Sequence, residues 1–125
     1  MSELKSVEIK AFVPARDFEL SKQFYQDLGF ELAWSSEGLA YLSHGNCSFL
    51  LQKHYVKEHA DNFMMHMIVT DADAWWRHVE AKGIPSKYGI KAEPPEDREW
   101  GLRDFILIDP TGVLWRIGSD IPEAK

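Results

Sequence analysis

The chain contains one plan twice, and that repetition limits its folds more than any other feature. Residues 17–30 read DFELSKQFYQDLGF and residues 71–84 read DADAWWRHVEAKGI. A gap-free slide of 54 places sets Asp17 on Asp71, Gly29 on Gly83 and Phe30 on Ile84. Each copy has an aspartate placed to cap a helix, apolar residues on one helical stripe, and a glycine where the helix must stop. A slide of 66 sets Asn46 on Gly112, the turn residue of the last hairpin in each half.

Around each helix the same elements recur. VEIKAFVP, residues 7–14, alternates and reads as a strand, with Pro14 disfavouring helix at Val13. After the first helix, FELAW, LAYLS and SFLLQ are short strands separated by SSEG and HGNC, whose Gly and Asn residues suit hairpin turns. The second half offers FMMHMIVT as a strand, then a helix capped by Asp71 or Asp73 with Trp75, Trp76 and Val79 inward, then SKYGI, DFILI and VLWRI as strands. The proline-punctuated acidic stretch KAEPPEDRE, residues 91–99, reads as a loop and is barred from a central strand.

The expectation is an α+β fold of two βαβββ modules, each sheet covered by a helix. Module one spans about 7–52, a connector 53–62, and module two 63–118. The connector can hold a short helical turn and can serve as a lid or as a plain link. Neither module is large enough to enclose a core alone, so the two should form one domain by burying sheets against helices and against each other.

Charge and cysteine content narrow the partners. A net charge of −6 argues against non-specific attraction to nucleic acid or an anionic membrane surface and leaves room for a cationic ligand. A single cysteine, Cys47, allows no disulfide within the chain and fits a reducing compartment. MSELKSVEIK lacks the apolar run of a signal peptide, and no run of apolar residues is long enough to span a bilayer, so the expected location is the cytoplasm.

DPTGVLWRI, residues 109–117, poses the sharpest local question. Asp109 opens a turn whose backbone donors its side chain can satisfy. Beyond it Val113, Trp115 and Ile117 share one strand face, and Leu114 and Arg116 share the other. A guanidinium on a covered face needs a partner, because an unpaired buried charge costs several kcal/mol. Asp104 or Glu8 can supply that partner, or Arg116 can meet a ligand.

Two βαβββ modules, a helix ending in FYQDLGF and the closing run WGLRDFILIDPTGVLWRI together resemble the vicinal oxygen chelate superfamily. Glyoxalase I, extradiol dioxygenases and bleomycin-resistance proteins belong to it. The resemblance covers about Val7 to Ile117 and implies a curved mixed sheet in each module, with paired modules forming a cleft over a ligand, often across a dimer interface. The metal-dependent members carry ligands on the first and last strand of each module. Carried over by helix and turn landmarks, those places fall on Lys10, Leu50, Met64 and Arg116, none of which suits a divalent ion. His66 and Gln52, two residues along from Met64 and Leu50, are the fallback ligands should the register slip by two.

Without a metal, the resemblance implies a cofactor-free member of the bleomycin-resistance-like type: a homodimer that sequesters a bulky aromatic or cationic small molecule and makes or breaks no bond. Such a site requires flat apolar rings to stack on and carboxylates for a positive tail. Five Trp, four Tyr and seven Phe, with Glu96, Asp97 and Glu99 just before Trp100, supply both. The expected binding residues are Trp34, Tyr41, Phe49, Met64, His66, Trp100 and Arg116, with Trp34 and Trp100 open between ligand rim and dimer interface. The alternative is a metal-dependent glyoxalase- or dioxygenase-type enzyme with a shifted ligand set.

Overall fold

The computed structural model describes residues 4–122. Strand β1 (Phe12–Ala15) leads into helix α1 (Phe18–Leu28), followed by β2 (Glu31–Ser35), β3 (Leu39–His44) and β4 (Cys47–Lys53). A short helix α2 (Lys57–Asp61) fills the connector. Then come β5 (Met64–Ile68), α3 (Ala72–Ala81), α4 (Ile84–Tyr88), β6 (Ala92–Asp97), β7 (Leu102–Ile108) and β8 (Leu114–Asp120). The strands form two four-stranded mixed sheets, ordered β1-β4-β3-β2 and β5-β8-β7-β6. In each, the outer pair β1–β4 or β5–β8 is parallel and the remaining pairs are antiparallel.

Both helix starts follow from their aspartates. Asp17 accepts a hydrogen bond from the Leu20 amide and Asp71 from the Ala74 amide, which relieves one unpaired donor at each N-terminus. Gly29 ends α1 at φ 129°, a conformation that side chains resist, and its amide returns to Tyr25 and Gln26 carbonyls.

The buried faces of both sheets and both long helices feed one core. Val13, Phe24, Tyr25, Leu28, Leu42, Phe49 and Leu51 of the first half meet Val79, Phe105, Leu107, Trp115 and Ile117 of the second, all nearly or fully inaccessible. The join is aromatic. Tyr25 packs on Phe49 at 4.9 Å and on Trp115 at 5.5 Å between ring centroids, and Phe30 packs on both Phe49 and Trp115.

A polar network crosses the same join. The Tyr25 hydroxyl donates to Asp109 Oδ2 at 2.5 Å and accepts from the Trp115 indole at 2.9 Å. Asp109 Oδ1 takes the amides of Thr111, Gly112 and Val113, which fixes the turn before β8. Burial pushes the Asp109 carboxyl up, against four hydrogen bonds that favour its charge, and burial followed by the Asp109 charge pushes the Tyr25 hydroxyl well up.

Three expectations need correction. SKYGI is no strand: α4 runs over 84–88, between Gly83 and Gly89 at φ 63° and 61°, with Pro85 in its first turn, where a missing amide hydrogen costs nothing. The stretch read as a loop, 91–99, contains β6, an edge strand whose register shifts between Glu93 and Glu96 where Pro94 and Pro95 cannot donate. The first strand is shorter than expected and starts at Phe12, and Val7 and Ile9 before it are over 90% exposed.

Helix α4 also ties the halves. Asp27 at the end of α1 accepts from Lys87 Nζ at 2.7 Å and from the Tyr88 hydroxyl at 2.6 Å. Partial burial pushes the Asp27 carboxyl up, but those two contacts outweigh it and hold it below the ordinary carboxylate range. A carboxyl depressed in the fold contributes stability above its unfolded value, and that contribution is lost as pH falls through the folded one. Between pH 6 and 3 the urea midpoint of the wild type should therefore fall further than that of Asp27→Asn. Parallel curves would remove Asp27 as an acid-sensitive tie.

Candidate ligand-binding site

Each sheet keeps one face out of the core, and cross-strand register decides what lies on it. In the first sheet Trp34, Tyr41, Leu50 and Phe12 are successive partners across β2, β3, β4 and β1. Directly opposed residues point to one side, so these four form a continuous row. Their neighbours Val13, Ala40 and Leu51 are buried on the opposite side, whereas Trp34 and Phe12 are about half exposed. Above the row, Glu8 accepts from the Tyr41 hydroxyl at 3.1 Å and from the Ser48 hydroxyl, and pairs with Lys10 at 2.6 Å. The Lys10 ammonium lies 4.8 Å from the Tyr41 ring centre. Lys10 first, then Ser48, holds the Glu8 carboxyl down.

The repeat maps this row onto the second sheet, where Glu93, Ile106, Arg116 and His66 are successive partners across β6, β7, β8 and β5. The aromatic row of the first module has become a polar one. Arg116 stands where Leu50 stands and His66 where Phe12 stands. Met64 and Ile68 flank His66 on the same face, each more than half exposed. The Trp100 ring in the β6–β7 turn lies 5.6 Å from the Arg116 guanidinium, and Trp100 is 55% exposed.

Beneath this surface lies Asp104, wholly buried. Its Oδ1 accepts from Arg98 Nε at 2.8 Å and Arg116 Nη1 at 3.1 Å, while its Oδ2 is buried without a partner among the described residues. Gly118 makes room for it: a Cβ there would lie 2.9 Å from Asp104 Cβ and 3.3 Å from the Arg103 carbonyl oxygen. Gly118→Ala should cost about 1–3 kcal/mol by overpacking. Chemical denaturation would check it, and an unchanged midpoint would contradict the crowding.

Most of the expected binding residues come onto the two open faces. Trp34 and Tyr41 lie on the first, Met64, His66, Arg116 and Trp100 on the second. Phe49 does not belong with them: it alternates with Leu50, faces the helix side and is 1% exposed, so it is a core residue. Of the two proposed partners for Arg116, Asp104 is the one it meets, and Glu8 is engaged by Lys10. Asp97 is held by Arg103 at 2.6 Å and Glu96 lies 3.6 Å from Arg98, so two of the three carboxylates before Trp100 already face arginines. Phe12 was the residue missed; its pairing with Leu50 is the signal, and register is what a single strand does not reveal.

The residues at the places the resemblance assigns to metal ligands do not fit a divalent ion. Leu50 offers no donor atom, Met64 a neutral thioether, Lys10 an ammonium paired to Glu8, and Arg116 a guanidinium paired to Asp104. The fallback pair is divided between sheets: His66 opposes Arg116, and Gln52 opposes Pro14 and Leu39. Among the described residues no three His, Cys, Asp or Glu side chains converge on a common point.

Two βαβββ modules sharing one core, each leaving a sheet face open, define a paired-module fold. The chain belongs to the Glyoxalase/Bleomycin resistance protein/Dioxygenase superfamily, whose family model matches residues 8–117. It is 29% identical over 108 residues to a bleomycin resistance protein of Klebsiella pneumoniae, covering 84% of this chain and 86% of that one. Its fold is similar to that of a bleomycin-binding protein solved with bleomycin, with a TM-score of 0.77, 24% identity, and coverage of 93% of this chain and 100% of that one. A lactoylglutathione lyase from Agrobacterium tumefaciens shares the fold at a TM-score of 0.69 and 18% identity, over 92% of this chain and 94% of that one.

Proposed function

We propose that this protein is a cytoplasmic, homodimeric binding protein that sequesters an aromatic small molecule of the bleomycin type without chemical turnover. The observation that carries this reading is the row Trp34–Tyr41–Leu50–Phe12, an apolar stacking surface turned away from the core and open to solvent. Flat rings at low conformational cost are what a stacking site needs.

The dimer is supported by the sheet edges. Among the described residues β1 and β5 each pair on one side only, yet they read FVPA and MMHMI, with Phe12, Met64 and Ile68 more than half exposed. An open apolar edge invites another strand unless it is blunted. Edge strand β6, by contrast, carries two prolines and three acids. A second copy that brings its β5 beside β1 would close both edges by two-fold symmetry and set the aromatic face of one chain against the polar face of the other, as the two walls of a ligand-holding cup.

Bleomycin titrated into protein pretreated with a chelator should quench tryptophan fluorescence to a stoichiometric end point and be recovered with its mass unchanged. A chemically altered drug, or binding that vanishes with the chelator, would overturn the reading. Replacing Ile68 or Met64 with aspartate should shift sedimentation toward monomer, and an unaltered dimer would rule out the β5 edge.

A further inference from the structure

The two guanidiniums over Asp104 are not equivalent. Arg98 donates through Nε to Asp104 Oδ1, through Nη2 to the Asp104 carbonyl at 3.4 Å, and sits 3.6 Å from Glu96. Arg116 makes one hydrogen bond, from Nη1 to the oxygen Arg98 already holds. Its Nε and Nη2 have no acceptor among the described residues and are not among the buried unpartnered atoms, so they reach solvent. They do so on the open face, beside the Trp100 ring and opposite His66.

We infer that Arg116, with His66 beside it, is an anion-binding position within the cup, so that the cup also takes aromatic molecules that carry a carboxylate, sulfate or phosphate group. This rests on the cup reading above and adds a second class of ligand, aromatic anions, to the cationic one. Arg116 has four N–H donors uncommitted, in a fixed planar fork that matches a two-oxygen anion. Turning it toward a ligand is cheap, because Arg98 keeps Asp104 Oδ1 paired when Arg116 leaves. Trp100 limits the guanidinium to a plane and gives the ligand ring a surface beside the anion. His66 offers a further N–H from the neighbouring strand. The charges facing this position are Asp104 and Arg98 below it and Glu93, two strands away in the same row. Glu93 bounds the anion position on the β6 side.

Three naphthalene probes of one shape test it: 2-naphthoate, 2-naphthamide and 2-naphthylmethylammonium, titrated against wild-type protein by tryptophan quenching. The carboxylate should bind about tenfold tighter than the amide, the increment of one charge-assisted contact. Sulfate should compete with the carboxylate and leave the amide untouched. Arg116→Met should abolish the difference between carboxylate and amide while preserving amide binding. Because that variant strips Asp104 of one partner, Asp104→Asn/Arg116→Met serves as a second, charge-balanced test with the same expectation. Equal binding of carboxylate and amide, or a carboxylate preference that survives loss of Arg116, overturns the anion position and leaves the cup standing. If none of the three probes binds, the aromatic cup itself fails, and the anion position with it.

Discussion

Tyr25→Ala is expected to remove about 3–5 kcal/mol of folding stability, the usual cost of deleting a large buried aromatic side chain, with the loss of two buried hydrogen bonds added to it. Domains of this kind hold about 5–15 kcal/mol in total, so the loss takes a large share of the stability and should lower the urea midpoint plainly. The size of the effect comes from position. Tyr25 is fully buried, its ring touches Phe24, Phe30, Phe49 and Trp115, and its hydroxyl joins Asp109 to the Trp115 indole. Tyr25→Phe separates the two contributions: packing survives, but Asp109 Oδ2 and the indole N–H lose their partner, at about 1–3 kcal/mol. Urea denaturation of both variants measures the split. A Tyr25→Phe as damaging as Tyr25→Ala would mean that the hydrogen bonds, and not the rings, join the halves.

The second large effect concerns binding. Trp34→Ala and Trp100→Ala should each weaken bleomycin binding about thirtyfold, as loss of an aromatic anchor of roughly 2 kcal/mol does. Folding stability should hardly move, because both rings are more than half exposed and neither enters the core. Phe49→Leu should behave the opposite way, lowering stability and leaving the binding constant near its wild-type value. Isothermal titration beside thermal unfolding separates the two classes. A Trp34→Ala or Trp100→Ala variant with unchanged affinity would place the ligand elsewhere.

How much of this was legible in the sequence depends on whether local chemistry or long-range pairing decides it. The helices were legible because Asp17, Asp71, Gly29 and Gly83 act within their own turn. The core face of β8 was legible because Trp115 and Arg116 must alternate, but the choice between Asp104 and Glu8 as the partner of Arg116 came only from the fold. The α4 helix was missed because a Gly-bounded five-residue segment looks the same as a short strand until Tyr88 and Lys87 find Asp27 on another element. β6 was hidden by its prolines, which are tolerated only because it lies at an edge. Phe49 is expected among the binding residues, but it opposes Leu42 on the core side, and the same register leaves Leu50 and Phe12 on the open face. The family was legible from the repeat and from the closing motif. The composition of the two faces, one aromatic and one charged, came only from register.

In the proposed dimer each cup joins the aromatic face of one chain to the polar face of another, and mixed dimers put that arrangement to the test. Trp34→Ala and Trp100→Ala chains, each deficient alone, are co-assembled and titrated with bleomycin. A shared cup predicts that every mixed dimer regains one site with both tryptophans intact, so wild-type affinity returns at about a quarter of wild-type capacity under random pairing. If no site of wild-type affinity appears in the mixture, the cup is not built between chains.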